Sequence, residues 1–178
     1  MAPTLIPAQK SIDRPPAILS LIGDTPLVEV TRIDTGPCHL FLKLENQNPT
    51  GSIKDRVALA MVEAAERDGQ LAPGGTIIEA TAGNTGLGLA LVAAAKGYRI
   101  ILVIPDKMSE EKIAHVRALG AEVRLTRSDV RRGHPEYYQD VAARLASERD
   151  DNRVVDELEQ VAARGPATGH PAPREADG

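Results

Sequence analysis

Asn46-Gln-Asn-Pro-Thr-Gly-Ser-Ile-Lys54-Asp-Arg56 separates two unlike runs of sequence. Leu40-Phe-Leu-Lys-Leu44, before it, reads as a strand. Val57-Ala-Leu-Ala-Met-Val-Glu-Ala-Ala65, after it, reads as a helix. Pro49 and Gly51 break regular structure between them. Ser52 is a good N-cap residue, which places Lys54 in the first turn of the helix. A lysine is out of place there, because helix N-termini carry partial positive charge and favour acids. An ammonium held against unpaired N–H groups has reason to release its proton, and a neutral amine is what Schiff-base chemistry uses. A lone lysine in a loop is ordinarily a solvated surface residue, so the reading needs a second feature.

Thr76-Ile-Ile-Glu-Ala80 supplies it. This run reads as a buried strand, and Thr81-Ala-Gly-Asn-Thr-Gly-Leu-Gly88 follows directly, then an alanine-rich helix to Lys96. A glycine-rich strand-to-helix turn exposes backbone N–H groups at a helix N-terminus and makes an anion site. In an open α/β sheet such turns lie at the carboxyl ends of strands, where ligands bind. The chain therefore offers a candidate amine nucleophile and a candidate anion cradle on neighbouring units.

The pair Pro49-Thr-Gly-Ser-Ile-Lys54-Asp-Arg56 and Glu79-Ala-Thr-Ala-Gly-Asn84-Thr-Gly-Leu-Gly-Leu-Ala90 resembles the cysteine synthase/cystathionine β-synthase family of fold-type II pyridoxal phosphate enzymes. Leu21-Ile-Gly-Asp-Thr-Pro-Leu-Val28 is similar to that family's N-terminal signature. The resemblance runs over about residues 17–148, and three motifs in the family's order make it specific. It implies that Lys54 holds pyridoxal 5'-phosphate as an internal aldimine and then serves as the base that takes the substrate's Cα proton. It implies that Asn84 bonds the cofactor's 3′ oxygen and that Thr81, Ala82, Gly83 and Thr85 receive the substrate carboxylate. Ala82 departs from the serine usual at its position. The implied reaction is β-replacement, forming cysteine from O-acetylserine and sulfide, with cystathionine β-synthase chemistry as the alternative. The full-length family is a homodimer acting on small amino-acid substrates. Asp55 and Arg56 also match the motif and read as a local ion pair without chemistry.

Working outward, the rhythm from Ser52 is helix and strand in alternation. Helices are expected over 52–68, 84–96, 109–120 and 135–149, and strands over 76–80, 98–105 and 121–126, which implies a parallel doubly wound sheet. The near-continuous apolar run 98–105 fits a strand covered on both faces. Ser109 reads as an N-cap, and Pro135 as the first turn of its helix. Before Ser52, strands over 27–33 and 39–45 joined by Thr35-Gly-Pro37 read as an antiparallel pair. The expected organisation is a disordered leader (1–16), an N-terminal two-strand segment (17–47), a small α/β domain (48–148) and a divergent tail (149–178).

In the tail, residues 152–164 have the composition of a polar helix, and the Pro/Gly/Ala-rich residues after them read as disordered. The tail does not resemble the family, whose phosphate-holding Gly/Thr-rich loop and pyridine-facing residue lie beyond this point. The expectation is a C-terminally truncated chain, either still catalytic or a non-catalytic remnant. Its N-terminal strand pair would then expose apolar surface and sheet edges.

Composition narrows the alternatives. The chain has 178 residues, of which 42% are hydrophobic and only 2% aromatic, so the core must be built from Ala, Val, Leu and Ile. A net charge of −4 without a basic face argues against nucleic acid. One cysteine, Cys38, excludes an internal disulfide framework and fits a reducing cytoplasm, and no Cys/His spacing for a metal surrounds it. No apolar run reaches membrane-spanning length. Gly83-Asn-Thr-Gly86-Leu-Gly88 has the spacing G-x-x-G-x-G, which is not the dinucleotide fingerprint. His115 reads as a helix-surface residue, and His134 as part of a helix start.

Overall fold

The computed structural model describes residues 16–81, 83–148 and 152–154. All of the proposed leader but Pro16, together with Ala82 and nearly all of the tail, lies outside the described residues. In chain order the elements are a 3-10 helix Ala17–Leu21, strands β1 (Leu27–Glu29) and β2 (Phe41–Lys43), a 3-10 helix Glu45–Gln47, α1 (Lys54–Arg67), β3 (Thr76–Ala80), α2 (Asn84–Lys96), β4 (Arg99–Pro105), α3 (Glu110–Ala118), β5 (Glu122–Thr126), α4 (Tyr138–Ser147) and β6 (Asn152–Val154). Among the described residues no helix is long and apolar enough to cross a membrane.

The sheet is parallel, in the order β5-β4-β3-β6. Side chains alternate between its faces. Ile77, Ile100, Leu102 and Ile104 point to one face, where they pack with Ala58, Met61 and Val62 of α1, Leu89, Val92 and Ala93 of α2 and Val116 of α3. Ile78, Ile101 and Val103 point to the other face, where Ala142 and Ala146 of α4 cover them. Helices on both sides explain why six of the seven residues of β4 are buried. The sheet grows in one direction through β4 and β5, then returns by α4 to place β6 on the far side of β3. The carboxyl end of β3 is thus where the strand order reverses, the position at which open α/β sheets place ligands.

Several boundaries differ from those read in the sequence. α4 begins at Tyr138, not at Pro135. Tyr137 is extended (φ −68°, ψ 133°), and its N–H donates to the His134 carbonyl at 2.8 Å, so Pro135 lies in a preceding turn. Ser109 occupies an N-cap position, but its hydroxyl makes no capping bond. The antiparallel strands are shorter than 27–33 and 39–45, with Leu27 opposite Lys43 and Glu29 opposite Phe41. A turn held by Gly36 N–H donating to Asp34 Oδ1 at 2.9 Å ends their pairing early. The helix read over 152–164 is replaced at its start by β6, which pairs Thr76 with Asn152 and Ile78 with Val154. The crossover from β5 carries the chain to the open side of β3, where Asn152-Arg-Val154 gains ladder bonds that a helix would forgo.

Two contacts position α1. The first is with α2. A Cβ on Gly88 would stand 3.0 Å from the Lys54 carbonyl oxygen and 3.1 Å from Ala58 Cβ, so the helices meet where only glycine fits. The second is with the N-terminal segment. Arg56 Nε donates to Glu45 Oε2 at 2.9 Å, and its Nη2 donates to Glu45 Oε1 at 3.1 Å. Glu45 also accepts from the Thr25 hydroxyl at 2.8 Å and from Asn48 Nδ2 at 2.9 Å. Asn48 Oδ1 accepts from Gly23 N–H at 2.9 Å. Thr25 and Asn48 are buried, so this network ties the Gly23-Asp-Thr25 turn, the second 3-10 helix and α1 into one unit. The rest of the hairpin is bare: Leu27, Val28, Phe41 and Leu42 are all exposed.

Two outcomes follow from these contacts. Gly88→Val pushes the helices apart and should cost about 1–3 kcal/mol by overpacking, read as a lowered midpoint in thermal unfolding. The Glu45 carboxyl is held down at about 2 from its ordinary 4.5, chiefly by the Arg56 hydrogen bonds. A group with a depressed native value contributes stability in full above 4.5 and loses it as pH falls toward 2. Urea unfolding across that range should therefore show a steep acid loss in the wild type and a shallower one in Glu45→Gln.

Candidate functional site

The loop that carries Lys54 is fastened before the helix begins. Gly51 adopts φ +82°, and its N–H donates to the Asn48 carbonyl at 2.8 Å. The fully buried Asp55 carboxylate accepts from Thr50 N–H at 2.7 Å and from the Thr50 hydroxyl. An acid in the first turn also satisfies the helix dipole. Ser52 is one residue removed from the N-cap, which is Ile53; its hydroxyl accepts the Lys54 N–H at 3.2 Å. Lys54 is the first residue of α1. Its side chain is exposed, and its ammonium meets no carboxylate among the described residues. Asp55 and Arg56 do not form the expected local ion pair: one turns to Thr50 and the other reaches back to Glu45.

The second half of the site is the β3–α2 turn. Thr81 is buried, its N–H donates to the Val103 carbonyl at 3.2 Å, and its hydroxyl accepts the Gly83 N–H at 3.2 Å. Gly83, extended at φ −138°, is the N-cap of α2, and Asn84 is its first residue. Gly83 and Asn84 are exposed and Thr85 is half-buried. The Asn84 amide makes no hydrogen bond among the described residues. Gly86 is required because a Cβ would strike the Thr81 methyl. The glycines of this motif therefore serve helix packing as well as the turn. Ala82 lies outside the described residues.

The structure brings the two halves together. Gly88, which touches the Lys54 carbonyl, lies one helical turn beyond Asn84, about 6 Å along α2. The starts of α1 and α2 thus lie side by side, and the unpaired first-turn N–H groups of α2 open beside Lys54. Beneath the turn is a cavity of about 20 Å³ lined by Thr81, Asn84, Leu102, Ile104, Met108 and Lys112. That volume suits one water and excludes anything larger, so a ligand at these residues sits on an open surface. Met108 and Lys112 were not singled out by sequence reasoning. Lys112 carried a usable signal, since it lies in the first turn of α3 just as Lys54 does in α1. Among the described residues no cluster of three or more His, Cys, Asp or Glu side chains is placed to hold a metal.

Comparison with known proteins identifies the family. The sequence matches the family described as "Pyridoxal-phosphate dependent enzyme" over residues 18–166, past the point where the motif resemblance was read to end. It is 50% identical over 145 residues to a cystathionine β-synthase from Oryctolagus cuniculus, covering 80% of this chain and 26% of that protein. It is 50% identical over 120 residues to a cysteine synthase from Staphylococcus aureus, covering 67% of this chain and 38% of that one. Among solved structures, a hydrogen sulfide-producing enzyme from Fusobacterium nucleatum superposes with a TM-score of 0.71 at 41% identity, over 79% of this chain and 45% of the other. An O-ureido-L-serine synthase superposes with a TM-score of 0.68 at 40% identity, over 74% and 40%. The chain spans a quarter to two-fifths of the length of the two sequence relatives named. With a family match across most of its length and fold-type II neighbours, the chain belongs to the pyridoxal phosphate-dependent enzyme family that includes cysteine synthase and cystathionine β-synthase.

Proposed function

We propose that this chain carries the amine half of a β-replacement site of the cysteine synthase type, forming cysteine from O-acetylserine and sulfide. One observation supports the reading: Lys54, exposed and without an acid partner among the described residues, has its backbone carbonyl against Gly88, one turn from Asn84 at the start of α2. When bound, pyridoxal phosphate supplies an aldehyde for an amine to hold and an electron sink for the bond broken at the substrate's Cα. The residues present fit that group in part. Lys54 would offer the amine that holds the group, and its Nζ would serve as the base for the Cα proton. Asn84 offers an unpartnered amide to a ring oxygen.

The substrate carboxylate falls to the first-turn N–H groups of α2 at Asn84, Thr85 and Gly86. The Gly83 N–H is already engaged by Thr81, so Thr81 shapes the turn while Gly83 sets its entry. Ala82 brings no hydroxyl to this carboxylate site. Among the described residues β3–α2 is the only glycine-rich strand-to-helix turn, so a separate cradle for the phosphate is not among them. Cystathionine β-synthase chemistry is the second reading. It is favoured by the larger share of this chain that the relatives of that name match. It differs in the acceptor, homocysteine in place of sulfide.

The site is tested by incubating the protein with pyridoxal phosphate, reducing with borohydride and mapping the modified peptide. Label on Lys54, absent in Lys54→Ala, is the expected result; label spread over other lysines sinks the assignment. Asn84→Ala should weaken cofactor binding about 3–10-fold, the loss of one hydrogen bond. Cysteine formed from O-acetylserine and sulfide supports the first reading, and cystathionine formed with homocysteine supports the second. Attachment at Lys54 without either product would make the chain a non-catalytic member of the family.

A further inference from the structure

A helix about 10 Å across does not span four strands set about 4.8 Å apart. α4 packs on β3, β4 and β6 and lies over Ile78, Ile101 and Val103. The same face of β5 is left open. Arg124 stands beside Val103 in the ladder and Thr126 beside Pro105, so both side chains point to that face. The result is a groove of about 520 Å³, floored by Arg124 and Thr126 and walled by Val141, Arg144 and Leu145 of α4. These three wall residues share one side of their helix. Asp106, the residue after β4, lines the same groove. The volume suits a small molecule, and the groove reaches the carboxyl ends of β4 and β5, where open α/β sheets take ligands.

Most charges around the groove are engaged. Arg124 pairs with Glu122 at 2.6 Å. Arg127 donates from Nε and Nη2 to the two Asp129 oxygens at 2.9 and 2.7 Å, and from Nη1 to Glu136 at 3.4 Å. Two groups differ. Arg144 has no carboxylate partner among the described residues; its Nη1 donates to the Pro135 carbonyl at 3.3 Å. Asp106 has no cationic partner among them; its Oδ1 accepts from the Ser128 N–H at 3.2 Å. The groove therefore carries one spare guanidinium and one spare carboxylate beside aliphatic side chains.

We propose that this groove binds a free α-amino acid with an aliphatic side chain. Arg144 takes the carboxylate, Asp106 takes the ammonium, and the side chain lies on Val141 and Leu145. Both polar contacts are charge-assisted, the stronger class of hydrogen bond. A plain anion would leave Asp106 unmatched, and a plain cation would leave Arg144 unmatched. A zwitterion answers both, so the paired charges select against each simpler ion. The groove shares no lining residue with the cavity beneath the β3–α2 turn, so the two places are separate.

The test is titration of the full chain with L-norleucine, followed by amide chemical shifts. Hexanoate, which lacks the ammonium, and pentylamine, which lacks the carboxylate, are the comparison ligands. Norleucine should bind saturably and about tenfold or more tighter than either, with shifts at Thr126, Val141 and Leu145. Arg144→Gln should weaken norleucine about tenfold and leave pentylamine unchanged. Asp106→Asn should weaken norleucine about tenfold and leave hexanoate unchanged. Both residues are exposed, so the variants should keep the wild-type circular dichroism. Failure of norleucine to saturate overturns the proposal. So does norleucine binding no tighter than its two analogues, or variants that weaken all three ligands alike. Shifts confined to Asn84, Thr85 and Gly86 would place the amino acid at the start of α2 and overturn it as well.

Discussion

The Lys54 carbonyl oxygen stands 3.0 Å from the place a Cβ would occupy on Gly88, and that approach sets the distance between α1 and α2. Neither helix has freedom to slide there. Ala58, the other residue against Gly88, is small and fully buried, which lets the helices approach there. Because the contact falls at the first residue of α1 and at the second turn of α2, it also brings the two helix starts together. The proximity of the Lys54 backbone to the α2 start is thus a by-product of helix packing.

Packing fixes where Lys54 begins, and polar bonds fix the direction from which the chain reaches it. Asp55 holds Thr50, and Arg56 holds Glu45 with both arms of its guanidinium. Neighbouring residues of one motif therefore staple two different segments, both of which precede Lys54 in the chain. This explains why an acid and a base sit next to each other without pairing. It also gives the N-terminal segment its attachment: through Glu45, Thr25 and Asn48 it is joined to α1 by hydrogen bonds, while its strands stay exposed.

Much of this was legible in the sequence where a physical signal was local. The alternation of strand and helix from Ser52, the left-handed glycines closing α1 and α2, and the two-faced burial of β4 all follow from side-chain period and turn chemistry. The place of Lys54 in the first turn of its helix followed from Pro49, Gly51 and Ser52, although the N-cap is Ile53 and not Ser52. What stayed hidden depends on distant partners. No spacing in the sequence announces that Gly88 faces a carbonyl thirty-four residues earlier, or that Arg56 skips its acidic neighbour for Glu45. Strand β6 was missed because three residues of weak pattern become a strand only when β3 offers a free edge. Pro135 misled because proline suits a tight turn as well as a helix start, and the His134 carbonyl decided for the turn.

The single helix on the second face of the sheet has a mechanical meaning. Among the described residues α4 alone covers Ile78, Ile101 and Val103, and it is also the strap that carries the chain from one edge of the sheet to the other. Its removal would therefore expose that face and cut the covalent link to β6, while α1, α2 and α3 pack on the other face. Among the described residues three helices thus cover one face of the sheet and one helix the other, and that one helix also spans the two sheet edges.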